Sequence, residues 1–459
     1  MKRKLRALYL IWLLDPRFVA LREAVAEMVR LVTFRKRVVT VFLQLDDPYS
    51  YLLGHYLESM IDRYRPKVQF RVYLCQALSG EYMPQPGMLA EYAHADAERL
   101  AAALGIPFLD KGDTPVVEFR RPLLDYLAME QEEDDFPETM IRALAYYWRG
   151  DAEGISKLLG KPGGGSDETN VLIGKNQLTL RKLGHYNCAT MHYGGEWYWG
   201  VDRLFHLEQR LRQLGACRAP EEPYIVPRPD VDVEGVDASG LELHFYPSLN
   251  SPYTSIIYDR TIALAEACNI NFHHKPVLPM VMRGVPVTPA KARYIFFDTK
   301  READFFGVPF GNHVTPIGTP TRLAYSLLPW ATAQGKEREL MSTLLRHAWA
   351  EGRGLHRTAN MKRVVGEAGL DWGEASKRIG SEDWKEIVER NQDEMVAGMG
   401  LWGVPSYRLC GPDGEPDLAV WGQDRLWLVA AEIRRRAELM SGKELPDDWS
   451  IHCADAEWS

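Results

Sequence analysis

Two stretches of the chain repeat one pattern of apolar and polar positions. Residues 38–45 (VVTVFLQL) form an apolar run of strand length, followed by Asp46-Asp47-Pro48-Tyr49-Ser50 and a helical spacing of apolar residues through Tyr64. Residues 241–246 (LELHFY) are a second such run, followed by Asn250-Ser251-Pro252-Tyr253-Thr254 and a helical spacing through Ala267. Each predicts a buried strand, a short loop and a helix opened by x-P-Y-[ST]. Further on, Trp199-Gly200-Val201-Asp202-Arg203-Leu204 matches Trp421-Gly422-Gln423-Asp424-Arg425-Leu426, each after a hairpin pattern and at the start of a closing helix. Between these landmarks the spacing is helical over 88–104 and 138–159 in the first half. In the second half it is helical over 324–351, 361–368 and 384–399. The order strand, helix, strand, helical block, hairpin, helix therefore occurs twice. It predicts an α/β chain of two tandem units, each with an inserted α-helical subdomain.

Length and composition fit this. The 459 residues suit two or three domains, and 46% hydrophobic with 26% charged residues is the balance of a folded globular protein. Acidic side chains (63) outnumber basic ones (55), a net charge of −8, which argues against nucleic acid as a partner. The six cysteines form no C-x-x-C, so no disulfide framework or zinc ribbon is expected, and a reducing, cytoplasmic setting is. Near the N-terminus, Lys2, Arg3, Lys4 and Arg6 precede the apolar run 7–14, which resembles the start of a secretory signal. Asp15-Pro16-Arg17 ends the run well short of the ~20 residues of a membrane span, so the expectation is no membrane. The expected domains are a helical extension over 1–37, a first unit over 38–215, an acidic Pro-containing linker over 216–239, a second unit over 240–438 and a tail over 439–459.

Three short motifs could carry chemistry. Ser251-Pro252 has the form of a helix cap, Ser accepting a backbone N–H and Pro at the first helical position. The same place faces free N–H groups and the positive end of the helix dipole, where an anion or thiolate is stabilised. Both roles remain open for Ser251. Gly403-Val404-Pro405-Ser406 precedes a strand; a cis bond there would leave the Val404 N–H and C=O free to pair with an extended peptide, and an ordinary edge-strand proline is the alternative. In Trp421–Leu426, Gln423 and Asp424 stand at a helix start, where Asp424 could hold an ammonium group or simply cap the helix beside a surface ion pair of Arg425.

Together, S-P-Y at a helix start, G-V-P before a strand and W-G-Q-D-R-L resemble the DsbA-like thioredoxin-fold group. The resemblance is nearest to 2-hydroxychromene-2-carboxylate isomerases and kappa-class glutathione transferases, over 240–438 and more loosely over 38–212. It implies two thioredoxin-like domains of the DsbA type, which could pack as an intramolecular pseudo-dimer. It also implies glutathione as cofactor and a small, aromatic electrophile as substrate. Ser251 would bond the glutathione sulfur, Val404 beside Pro405 would pair with its backbone, and Gln423 and Asp424 would hold its γ-glutamyl end. Lys291 or Arg283 would take its glycine carboxylate. DsbA oxidoreductases carry C-P-x-C at the helix start; here Ser251 and Thr254 stand in both cysteine positions, so dithiol exchange cannot occur there. A non-catalytic binding or scaffold protein is the rival reading.

In the first half, Asp47 replaces Ser251 and Asn187-Cys188-Ala189-Thr190 replaces the G-V-P-S segment. A carboxylate beside a thiol opposes its ionisation, so Asp47 and Asp202 mark a degenerate counterpart site. The aromatic segment 193–199 is expected to be hairpin core. His185, His192 and His206 lack metal-ligand spacing, His273-His274 ends a strand, Cys188 is expected to be a buried thiol, and Gly163-Gly164-Gly165 lacks the Lys-[ST] of a phosphate loop.

Overall fold

The computed structural model describes residues 15–108, 117–160 and 166–442. The basic and apolar N-terminal run, the triple glycine and most of the expected C-terminal tail lie outside the described residues. The chain divides into two compact units, one built on Arg22–Pro229 and the other on Asp230–Val287 and Ala292–Asp447, with Thr288–Lys291 grouped in the first and the residues up to Leu21 in the second. No helix among the described residues is long and apolar enough to cross a membrane.

Each unit holds a four-stranded mixed sheet. The first contains β1 (Arg37–Leu43), β2 (Val68–Leu74), β3 (Thr190–Tyr193) and β4 (Glu196–Trp199), in the order β2-β1-β3-β4. The second contains β5 (Glu242–Tyr246), β6 (Asn271–His274), β7 (Ser406–Cys410) and β8 (Leu418–Trp421), in the order β6-β5-β7-β8. In both, the first two strands pair in parallel and the other pairings are antiparallel. A parallel pair needs a crossover, supplied by the helices Pro48–Tyr64 and Pro252–Ala267. Of the two central strands in each sheet, the one that also pairs in parallel is buried on both faces: Val39, Val41, Phe42 and Leu43 in β1, and Leu243, Phe245 and Tyr246 in β5, are fully buried. That explains why both read as near-continuous apolar runs. Among the described residues, the inserted blocks between β2 and β3 and between β6 and β7 contain helices and loops only.

Some predicted helices are broken. The stretch 138–159 is two helices, Phe136–Trp148 and Ala152–Leu159, parted at Gly150, which adopts φ +67. The stretch 324–351 is three: Thr319–Tyr325, Leu328–Ala333 and Glu337–Trp349. Pro329 starts the second of these and Gly335, at φ +65, ends it. Of the N-terminal extension, Pro16–Val32 is helical.

Candidate functional site around Ser251

The loop that delivers Ser251 is held from three sides. Its predecessor Leu249 has both backbone groups satisfied by inserted helices: the Leu249 N–H donates to Tyr325 Oη at 3.2 Å, and Trp349 Nε1 donates to the Leu249 carbonyl at 3.0 Å. Tyr325 passes its own proton to the Val277 carbonyl at 2.9 Å. From the helix itself, Tyr253 Oη donates to Asp298 Oδ2 at 2.8 Å, and Asp298 is further paired with Arg301 at 3.1 Å. The tyrosine of S-P-Y thus ties the crossover helix to the inserted helix Pro289–Phe305, a role its local pattern does not reveal.

Ser251 is the N-cap of the helix Pro252–Ala267. Its hydroxyl oxygen accepts the Thr254 N–H at 3.1 Å, and Pro252 occupies the first turn. Such a cap contributes ~1 kcal/mol. The capping role is therefore occupied. Thr254, in the place of a second cysteine, is fully buried and its Oγ1 accepts the Ser248 N–H at 3.4 Å.

Opposite Ser251 lies the segment 402–405. The Val404–Pro405 peptide is cis. Ser251 Oγ donates to the Val404 carbonyl at 3.3 Å, so that carbonyl is not open to a peptide, contrary to the expectation from sequence. The reason is proximity: the cap hydroxyl accepts from Thr254, and its own proton reaches the Val404 carbonyl across the site. The Val404 N–H makes no hydrogen bond among the described residues. Gly403 is required here, because a Cβ on it would lie 1.8 Å from the Trp421 indole. Trp402 and Trp421 pack with ring centroids 4.7 Å apart. The G-V-P and W-G-Q-D-R-L motifs are thus two sides of one contact, joined also by the Gly422 N–H donating to the Pro405 carbonyl at 2.9 Å.

Beyond Gly422, Gln423–Arg425 form a 3-10 turn before the closing helix Leu426–Met440. Gln423 is buried. Its amide nitrogen donates to Glu302 Oε2 at 2.9 Å and to Asp424 Oδ1, while its oxygen, Oε1, is buried with no hydrogen-bond partner. An orphaned buried acceptor beside two carboxylates suits a cationic donor. Arg425 is buried, at 5% exposure, rather than on the surface as expected.

Of the two basic candidates, Arg283 joins the site as a clamp. Its Nε donates to the Leu278 carbonyl at 3.0 Å and its Nη2 to the Trp402 carbonyl at 2.6 Å, fixing the segment that carries Val404. Burial pulls its pKa down to about 10, still charged at neutral pH. Lys291 lies in the short Thr288–Lys291 stretch grouped with the other unit; burial lowers its pKa to about 8.

Sequence reasoning missed an aromatic cluster beside this loop. His313 stacks on Trp349 at 5.7 Å, Phe310 stacks on Trp349 at 5.8 Å, and Phe296 packs 4.5 Å from His313. Thr315, just after it, donates to Asn250 Oδ1 at 3.2 Å. Phe310 and His313 are half-buried, so one face of the cluster is open. The only signal was the clustering of Phe and His between 296 and 313.

The counterpart in the first unit has the same frame and different chemistry. Asp47 caps Pro48–Tyr64, accepting the Ser50 N–H at 3.1 Å and the Ser50 hydroxyl at 2.6 Å. Loss of solvent pushes its pKa up to about 6, opposed by the two Ser50 hydrogen bonds. Cys188, in the place of Val404, is buried in a cluster with Cys75, Phe42 and Leu180. Burial first, then the Cys75 thiol, holds its pKa well up, so it is no nucleophile. Ala189, in the place of Pro405, adopts φ +55. Asp202 sits in the 3-10 turn Val201–Arg203, the topological equivalent of Gln423–Arg425.

Residues 242–434 match the DSBA-like thioredoxin domain family. No curated protein sequence matches the chain. Among solved structures, it is similar to a 2-hydroxychromene-2-carboxylate isomerase (18% identity, 44% of this chain and 98% of that one, TM-score 0.37). It is also similar to a probable DsbA oxidoreductase from Streptomyces coelicolor (16% identity, 45% and 92%, TM-score 0.34). A third is the cytosolic disulfide reductase DsbM from Pseudomonas aeruginosa, solved with GSH (15% identity, 44% and 99%, TM-score 0.32). The C-terminal region is thus a DsbA-like thioredoxin domain within a mixed α/β chain of two sheets.

Proposed function

We propose that the second unit is a glutathione-dependent isomerase or transferase acting on a small, aromatic electrophile at the Ser251 site. The observation that carries this is the unpaired Val404 N–H, set across from a hydroxyl at a helix N-terminus. A cysteinyl carbonyl can take that N–H, and its sulfur then lies at the positive end of the helix Pro252–Ala267. The orphaned Gln423 Oε1, with Glu302 and Asp424 on its amide side, suits the ammonium of a γ-glutamyl group. Bound there, glutathione supplies a thiol nucleophile for addition to an electrophilic carbon. The protein's part is to hold that thiol ionised: Ser251 turns its proton from the Val404 carbonyl to the sulfur, and the helix N-terminus favours the anion. The half-open Phe310–His313–Trp349 face offers a flat apolar wall to an aromatic substrate.

A second reading has one observation in its favour. Ser251 is only 6% exposed, with its lone pair and its proton both engaged, as a purely structural cap would be. That reading makes the unit a binding module without chemistry. Calorimetric titration of the whole chain with glutathione decides: saturable heat at or below about millimolar concentration is expected, and no heat overturns the proposal.

A further inference from the structure

The helix Pro16–Val32 is turned inside out. Of the sixteen large hydrophobic side chains exposed among the described residues, eight lie between residues 18 and 34. Leu21, Val25, Met28, Val29 and Val32 follow the 3–4 spacing of one helix face. Leu21 and Met28 are each 58% exposed and Phe34, just past the helix, is 94% exposed. The charged face is the one held against the protein: Glu23 pairs with Arg210 at 3.4 Å, and Glu27 pairs with Arg30 at 2.6 Å and with Arg37. A helix that spends its ion pairs inward and shows its apolar stripe to water needs something outside to cover the stripe.

Charge says what. Nine basic and three acidic side chains give residues 1–36 a net charge of +6, while the rest of the chain carries −14. Arg17, in the first turn of the helix, and Arg35 and Lys36, just past its end, are exposed. An apolar face flanked at both ends by cations, on a chain that is otherwise strongly acidic, is complementary to an anionic lipid surface, with apolar side chains in the acyl boundary and cations at the headgroups. A second copy of this chain would bring the same +6 against itself, which disfavours a dimer through this face. We propose that the helix Pro16–Val32 docks the protein peripherally on anionic phospholipid bilayers. The expectation of no membrane rested on the lack of a span, and an interfacial helix needs none.

The test is flotation of the full chain with vesicles of phosphatidylglycerol and phosphatidylcholine in equal parts, against phosphatidylcholine alone. The protein should float with the first and not the second, and added salt should release it. Leu21→Asp with Met28→Asp should cut the fraction bound at least about tenfold. Each of Arg17→Gln, Arg35→Gln and Lys36→Gln should cut it about fivefold. All these positions are exposed, so the thermal melt should not move, which separates lost docking from lost folding. Failure to float, or undiminished binding by the double variant, overturns the proposal. So does a dimer in sedimentation velocity that the double variant dissolves without any vesicle binding, which would assign the face to a second copy.

Discussion

Ser251→Asp separates capping from chemistry, because the chain already contains the control. Asp47 caps the equivalent helix of the first unit, accepting an N–H three residues on at 3.1 Å, the same distance at which Ser251 accepts the Thr254 N–H. An aspartate at 251 therefore keeps the cap and its ~1 kcal/mol, and adds a favourable charge–dipole interaction of about 0.3–1 kcal/mol. Against this stands desolvation, which at Asp47 pushes the carboxyl up to about 6. The variant should match the wild type to within about 1 kcal/mol at pH 5, where the carboxyl is largely protonated, and fall behind by pH 8. Function should respond quite differently. The sulfur loses a charged hydrogen bond, roughly 1.5–3 kcal/mol, and gains an anionic neighbour that raises its pKa by about 1–3 units. Turnover should drop about 10²–10³-fold, with glutathione affinity changed only a few-fold, because Val404 and Gln423 are untouched. Ser251→Thr, which keeps both cap and hydroxyl, should retain most turnover, and Ser251→Ala should lose both stability and turnover. The assay pairs urea denaturation at the two pH values with glutathione-dependent turnover and the ultraviolet absorbance of bound thiolate. Wild-type turnover in Ser251→Asp, or a Thr variant as inactive as the Asp one, would show that the hydroxyl is a cap and nothing more.

Three further outcomes test other parts of the structure. Asp47→Asn should alter the pH dependence of stability: the folded-state pKa of about 6 lies above the unfolded value of 3.8, so wild-type stability falls as pH rises from about 4 to about 6. The variant, measured by thermal melts, should lack that fall and gain up to about 3 kcal/mol relative to wild type at pH 7, less to the extent that water screens this half-buried group. Gly403→Ala should disrupt the Trp402–Trp421 contact, because the added methyl meets the indole at 1.8 Å, and should abolish glutathione binding by calorimetry while the near-ultraviolet tryptophan signal shifts. Arg436→Met should cost about 2–4 kcal/mol in urea denaturation. Arg436 is 1% exposed, pairs with Glu432 at 2.7 Å and donates to the Gly411 and Pro416 carbonyls at 2.6 and 2.7 Å; the two carbonyls would lose that donor, while Glu432 keeps Arg435 at 2.7 Å.

The sheets were legible in the sequence because their decisive strands are buried on both faces and so read as apolar runs, and because the caps at 47 and 251 obey local rules. What local rules cannot carry is a bond between distant residues. Ser251 and Val404 are 153 positions apart, and nothing near either foretells that the hydroxyl proton goes to that carbonyl. Tyr253 and Trp349 are single residues in helical stretches, where an aromatic reads as ordinary core. The helices Arg120–Glu130, Ser166–Leu183 and Pro289–Phe305 went unread; in Ser166–Leu183 the reason is that polar residues dominate it. In Ser166–Leu183 a charge signal was present nonetheless, with Asp167 and Glu168 in the first turn and Arg181 and Lys182 in the last. The breaks at Gly150 and Gly335 were visible as residues but outweighed by the periodicity on either side.

Comparing the units position by position separates scaffold from chemistry. Trp148 Nε1 donates to the Leu45 carbonyl at 2.9 Å as Trp349 does to Leu249, Tyr49 Oη donates to Asp96 at 2.7 Å as Tyr253 does to Asp298, and Asn176 and Asn391 donate to the Leu74 and Pro276 carbonyls at 2.8 and 3.0 Å. Bonds present in both units, around sites as unlike as Asp47–Cys188 and Ser251–Val404, hold the crossover helix and its loop in place whatever the site does. The differences fall on the atoms that would meet a ligand. A carboxyl that accepts from Ser50 and a thiol sealed beside Cys75 offer little to a bound sulfur, whereas a hydroxyl, an unpaired N–H and an orphaned amide oxygen leave three groups unlike in kind and still able to pair. Under the proposed function, a ligand that presents an acceptor, a donor and an ionisable atom together would pair with all three, which a lone anion or a purely apolar molecule cannot do.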